Sequence, residues 1–137
     1  MIQQSLLAVA MNNISNMRGW PARQINPQHF VMEIVLPSRR TQVVNAVIGT
    51  DADNVQMVFF WSNVCPINYC PDPWMLLQES VKLSYGCYAV KDGNVIVKTS
   101  RVAQYLDTEE LARVLFYVGA NADELEARLV GAHIDQN

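Results

Sequence analysis

Tyr85-Gly86-Cys87-Tyr88-Ala89-Val90-Lys91-Asp92-Gly93-Asn94-Val95-Ile96-Val97-Lys98-Thr99 is the stretch on which the fold turns. Asp92-Gly93 suits a two-residue type I′ turn, whose positive φ angles match the twist of the flanking strands. That turn sets a register in which Lys91 faces Asn94, Val90 faces Val95, Ala89 faces Ile96, Tyr88 faces Val97 and Gly86 faces Thr99. Alternation then places Gly86, Tyr88, Val90, Val95, Val97 and Thr99 on one face of a hairpin. Tyr85, Cys87, Ala89, Ile96 and Lys98 take the other. The first set is expected in the core, with Lys98 nearer water.

Downstream, Asp107-Thr108-Glu109-Glu110 opens a helix: Asp at the N-cap and Glu three residues on can satisfy orphan backbone donors. Leu111, Val114, Leu115, Val118, Ala122, Leu125 and Leu129 recur at steps of three and four, a stripe suited to a core. Gly119 and Asn121 weaken the middle, where a bend is expected. Phe116 and Tyr117 lie beside the stripe, so one of them should face something other than the parent sheet.

Upstream, residues 2–17 read as an amphipathic helix. Leu7, Ala10, Met11, Ile14 and Met17 form its stripe, and Ile2, Leu6 and Val9 form a flank suited to a second contact. Gly19 and Pro21 end it, and residues 20–28 read as a loop. Three antiparallel strands should follow in a meander. In residues 30–36, Phe30, Met32, Ile34 and Leu36 face the core, because Glu33 belongs to the other side. In residues 41–48 the core side is Val44, Ala46 and Ile48. In residues 55–61 it is Val55, Met57, Phe59 and Trp61. Asp72-Pro73 then starts a helix with Asp as N-cap and Pro at the first position. Its main inward face is expected to be Trp74, Leu77 and Val81.

The second faces of these strands are more apolar than a solvated sheet requires. Val31, Val35, Val43, Val47, Val58 and Phe60 are all expected to point away from the core. Scattered surface valines are ordinary, but a contiguous patch marks contact with another chain. With Phe116 and Tyr117, these residues are the expected protein-binding or dimer surface.

The chain has 137 residues, half of them hydrophobic and 17% charged, enough for a single domain with its own core and too apolar for disorder. A net charge of −3, a pI near 5.2 and basic residues that never cluster beyond Arg39-Arg40 argue against nucleic acid. The beginning lacks a basic signal-peptide region, and the apolar runs are too short to span a bilayer. Three cysteines, an odd number, fit the cytoplasm. Neither nucleic acid nor membrane is an expected partner.

Only Cys65, Cys70 and Cys87 suggest metal or redox chemistry. Structural zinc needs four well-spaced ligands, and the fourth would be His29 or His133, at opposite ends of the chain. Nothing near the cysteines would lower a thiol pKa. Gly86 and Gly93 belong to the hairpin, not to a phosphate-binding loop, and Asp51 and Asp53 lack the remaining ligands of a calcium loop. Glu109-Glu110 is explained by capping and the helix dipole. No catalytic, cofactor or metal site is expected.

Residues 74–130 carry a resemblance: a helix, Leu83-Ser84-Tyr85-Gly86-Cys87-Tyr88-Ala89-Val90, the Asp-Gly turn, a second strand leading into Ser-x-Val, and an acid-capped final helix. This resembles the bacterial YbjN family and the related fold of type III secretion chaperones, with residues 1–137 as one such domain. The resemblance implies an α+β domain of helix, three-strand meander, helix, β-hairpin and helix, usually dimeric and without catalytic residues. Secretion chaperones of this fold bind an extended client segment along exposed hydrophobic surface. The cysteine-proline loop at residues 62–71 departs from the pattern. The expected function is a non-enzymatic, chaperone-like or regulatory adaptor that binds a partner polypeptide, as a homodimer in the cytoplasm. A metal-binding or redox protein built on the three cysteines is the alternative.

Overall fold

Both φ angles of the Asp92-Gly93 turn are positive, 51° and 80°, and the register that it implies holds from Cys87↔Lys98 to Lys91↔Asn94. A computed structural model describes residues 4–135, with side chains described from Leu6 to Gly131, so Ile2 and the His133 side chain lie outside it. The elements run α1 (Gln4–Arg18), β1 (Ala22–Asn26), β2 (His29–Val35), β3 (Thr41–Thr50), β4 (Gln56–Pro66), α2 (Trp74–Ser80), β5 (Cys87–Lys91), β6 (Asn94–Val102) and α3 (Thr108–Asp135). The strands form one antiparallel sheet in the order β1-β2-β3-β4-β6-β5. This is an α+β domain.

β1 is a strand where a loop was expected. Its five residues are all exposed, so no apolar alternation marks them. Backbone pairing with β2 holds it at the sheet edge, reinforced where the Glu33 N–H donates to the Pro21 carbonyl at 2.8 Å.

The next two hairpins share one design. Leu36 and Arg40 flank a three-residue turn with Arg39 at φ 70°, and Asp51 and Val55 flank another with Asn54 at φ 61°. Paired residues share a face, so Ala46 aligns with Phe30 on one side and Phe60 on the other, while Ile48 aligns with Val58. Val44, Ala46 and Ile48 are core residues, as expected. Val58 and Phe60 therefore face the core too, with Phe60 only 1% exposed, which reverses the assignment of β4. Met57, Phe59 and Trp61 lie on the opposite face and are partly exposed. β4 is apolar on both sides, so alternation could not choose between them; the length of the turn did. Val55 is exposed in that turn rather than buried.

α3 supplies the cover. Asp107 caps it as expected: its Oδ1 accepts the Glu110 N–H at 2.8 Å and its carbonyl accepts the Leu111 N–H at 2.9 Å. Every residue of the expected stripe, from Leu111 to Leu129, is buried. The helix runs as one element through Gly119, where a Cβ would lie 3.2 Å from Ile34 Cγ1 and 3.3 Å from Val44 Cγ2. That glycine lets helix and sheet close together. α1 adds Leu7, Ala10, Met11 and Ile14 to the core, whereas Met17 is exposed, against expectation. On the hairpin, Tyr88, Val95 and Val97 are buried, but Val90 is exposed at the sheet edge. Gly86 has φ 100°, and a Cβ there would meet the Lys98 carbonyl oxygen at 2.6 Å. The Lys98 backbone, with Val97 Cγ1 at 3.3 Å, leaves no room there for a side chain.

Placing Phe60 under α3 has a measurable consequence. Phe60→Ala is expected to cost about 3–5 kcal/mol of unfolding free energy in a urea titration. A cost below about 1 kcal/mol would return Phe60 to the surface.

Candidate protein-binding site

One row of residues crosses the sheet face opposite α3. By strand register it runs Arg23, Val31, Asn45, Trp61, Lys98 and Cys87. His29 Nε2 lies 2.8 Å from Asn45 Oδ1, and Asn45 Nδ2 donates to the Trp61 carbonyl at 3.4 Å. The Lys91 ammonium sits 5.0 Å from the Trp61 ring centre and 3.2 Å from Asp92 Oδ2. On either side of this row are Val35 and Val43, both exposed, and Val47 and Phe59, both half-buried. Phe59 lies across Gly49, where a Cβ would be 2.9 Å from Cε2. Of the residues expected on this surface, Val35, Val43 and Val47 are together on it. Val31 shares the face but is buried, and Val58 and Phe60 are absent from it.

A second apolar surface lies at the β5 edge. α2 presents two apolar arcs, and the inward one is not the expected one. Leu76 is buried, and Met75 and Leu83 pack against the core. The Tyr88 N–H donates to Ser80 Oγ at 2.9 Å, and Arg128 Nη1 donates to Glu79 Oε1 at 2.8 Å. These polar ties draw Glu79 and Ser80 inward and turn Trp74, Leu77 and Val81 out. Trp74 is 69% exposed and Val81 87%. Trp74 and Leu77 of the outer arc, with Tyr88 and Val90, border an almost wholly apolar groove of about 290 Å³. The expected start of this helix holds, since the Trp74 N–H donates to Asp72 Oδ1 at 3.1 Å.

Phe116 and Tyr117 join a third arrangement, a run of stacked rings. Trp20 stacks on Phe116 at 6.3 Å, Phe116 meets Tyr117 edge-on at 5.2 Å, and Tyr117 stacks on Tyr85 at 4.8 Å. Arg113 Nε donates to the Tyr85 hydroxyl at 3.1 Å, which with the neighbouring phenols holds the guanidinium pKa above its ordinary value. Phe116 still packs against the core through Trp20, whereas Tyr117 is exposed and, through Tyr85, pins the loop before β5 to α3.

The cysteines do not converge. Cys65 and Cys70 are buried, Cys87 is exposed, and all three are free. Burial, and then Cys70, pushes the Cys65 thiol up to about 11. Such a thiol is protonated at neutral pH and is a poor nucleophile. Among the described residues no three His, Cys, Asp or Glu side chains group as a metal site requires.

No protein-family model matches the chain and no curated protein matches it, so the YbjN likeness stands only on the motif in residues 74–130. Solved structures do match. A chain of the ExsC–ExsE complex aligns with a TM-score of 0.67 and 12% identity, covering 94% of this chain and 97% of that one. A chain of the HopA1–SchA chaperone–effector complex aligns at 0.58 with 10% identity, covering 92% and 94%. The likeness is one of fold.

The thiol environments are separable by titration with an aromatic disulfide at pH 8. Cys87 should react at once. Cys65, with a thiolate fraction of about one in a thousand, and buried Cys70 should wait for denaturant. Two or three fast thiols in the folded protein would overturn this assignment.

Proposed function

We propose that this chain is a non-enzymatic, chaperone-like protein that binds a partner polypeptide and works as a homodimer. The observation that carries the reading is the outward Trp74, Leu77 and Val81 arc beside the open β5 edge. An apolar stripe with helical spacing, left uncovered by its own domain, needs a partner. The fold shared with chains from protein–protein complexes supports the same reading.

A second copy fits the β5 edge. Aromatic side chains bury about 150–250 Å² each, so Trp74 with Leu77, Val81 and Val90 makes up much of the roughly 800 Å² per partner of a standard interface. The groove carries no charge, so two identical copies meet without like-charge repulsion. The uncovered sheet face around Val35, Val43, Val47 and Phe59 is then left for the partner polypeptide. Free thiols suit a reducing compartment such as the cytoplasm. Among the described residues no helix is long and apolar enough to cross a membrane.

Light scattering behind a sizing column should give twice the 15.4 kDa chain mass. Trp74→Ala should weaken the dimer by about 2 kcal/mol or more, roughly thirtyfold in Kd. A monomer mass for the unmodified protein rejects the dimer. Binding to the partner is tested by comparing the proteins captured from the source cell by the unmodified chain and by Val43→Glu/Val47→Glu. The unmodified chain should retain a stoichiometric polypeptide that the variant loses. Equal retention would remove the sheet face from the proposal.

A further inference from the structure

We infer that the ring ladder of Trp20, Phe116, Tyr117 and Tyr85, flanked by Arg18 and Arg113, docks an acidic segment of the partner polypeptide. The inference rests on the partner-binding reading and adds a surface and a chemistry to it. Three observations meet here.

First, the ladder has the composition of an interface hot spot. Trp, Tyr and Arg dominate the energetic centres of protein interfaces because they offer large rigid contact area and directional donors. Trp20 is buried and anchors the ladder, while Tyr117 at its middle is 38% exposed. The ladder therefore has both a fixed base and an open top.

Second, its flanking cations make no direct ion pair among the described residues, although the Glu110 carboxylate acts on Arg113 from a distance. Arg101, 5.6 Å from the Tyr85 ring, is paired with Glu110 at 3.3 Å. Arg18 lies 5.4 Å from the Trp20 ring, and Arg113 lies 5.9 Å from Tyr85 and 5.8 Å from Tyr117. Among the described residues neither Arg18 nor Arg113 has an ion pair. Arg113 spends Nε on the Tyr85 hydroxyl, and its two terminal amino groups make no hydrogen bond among the described residues. A guanidinium in that state accepts a carboxylate in a forked pair, and the ring beneath keeps its plane oriented.

Third, the setting is acidic. The chain carries a net charge of −3, so an acidic peptide is repelled by the molecule as a whole. Two guanidiniums without a direct ion pair flank this aromatic surface, with Glu110 acting on Arg113 only through space, and they are what would draw a carboxylate to it. Stacking alone explains why Tyr85 is held against α3, but it leaves the outer edges of both arginines unused. A helix C-terminus accounts for one cation at Arg18; it does not account for Arg113, which lies in the first third of α3.

The test uses the full chain and three fluorescein-labelled ten-residue peptides. They alternate phenylalanine with glutamate, with serine or with lysine. The glutamate peptide should bind at least tenfold more tightly than the lysine peptide, and its affinity should fall as salt is raised. Arg18→Glu/Arg113→Glu should reverse the preference, and Arg113→Gln should weaken the glutamate peptide without a change in thermal melt. Equal binding of all three peptides, or a preference unmoved by either arginine variant, overturns the acidic docking while leaving the partner-binding reading in place. Binding of none of them, by a protein that still captures its cellular partner through Val43 and Val47, also overturns the docking. Loss of both would sink the wider reading as well.

Discussion

The structure depends on how α3 packs against the sheet. Six strands spaced about 4.8 Å apart are wider than one helix of about 10 Å diameter can cover. α3 fills the centre, brought close at Gly119, while α1 takes the β1–β2 side and α2 the β5 side. All three helices lie on the same face. The other face, with Val43, Val47, Phe59 and Trp61, has no helical cover from the described chain. An antiparallel sheet tolerates this, since it can solvate one side. A single core therefore comes with an apolar surplus on the opposite face.

Polar groups inside that core fix the strands relative to one another. Gln42, buried between β3 and β4, donates from Nε2 to Ser62 Oγ at 3.1 Å and to the Asn63 carbonyl at 2.6 Å. Ser62 in turn donates to the Val43 carbonyl at 2.6 Å. A buried amide without partners is costly, so this network penalises slippage of β4. The bulge between Asn63 and Cys65 sits beside it. At the helical layer, Arg40 reaches from the β2–β3 turn to grip both oxygens of Asp123, the shorter contact at 2.7 Å.

Two glutamates on this layer titrate in opposite senses. The hydrogen bond from Arg128 lowers the pKa of Glu79, so that pair stabilises the fold above the ordinary carboxylate range and is lost as pH falls through the lowered value. Burial, followed by Asp123, raises the pKa of Glu126. Its protonated form is the one the fold favours, so its contribution is present at low pH and lost as pH rises through the raised value. On acidification Glu126 is therefore protonated first, and the Glu79–Arg128 clasp that sets the inward face of α2 loosens only at a lower pH.

Much of this was legible in the chain. The Asp92-Gly93 register, the Asp107 cap and the stripe from Leu111 to Leu129 are local: a two-residue turn, a side chain reaching three residues on, a repeat along one helix. The interactions that decide them lie within a few residues, so the sequence alone specified the hairpin, the long helix and the α+β order. The direction of Phe60 and of Trp74 was not local. β4 is apolar on both sides and α2 has two apolar arcs, so periodicity offered each element two faces of similar merit. The three-residue turn ending at Asn54, with Ile48 opposite Val58, chose for β4. For α2, Arg128 and the Tyr88 N–H, 49 and 8 residues from their partners Glu79 and Ser80, chose the arc carrying polar side chains. Those choices were made by groups that only folding brings together, and they decided which apolar residues became core and which were left exposed.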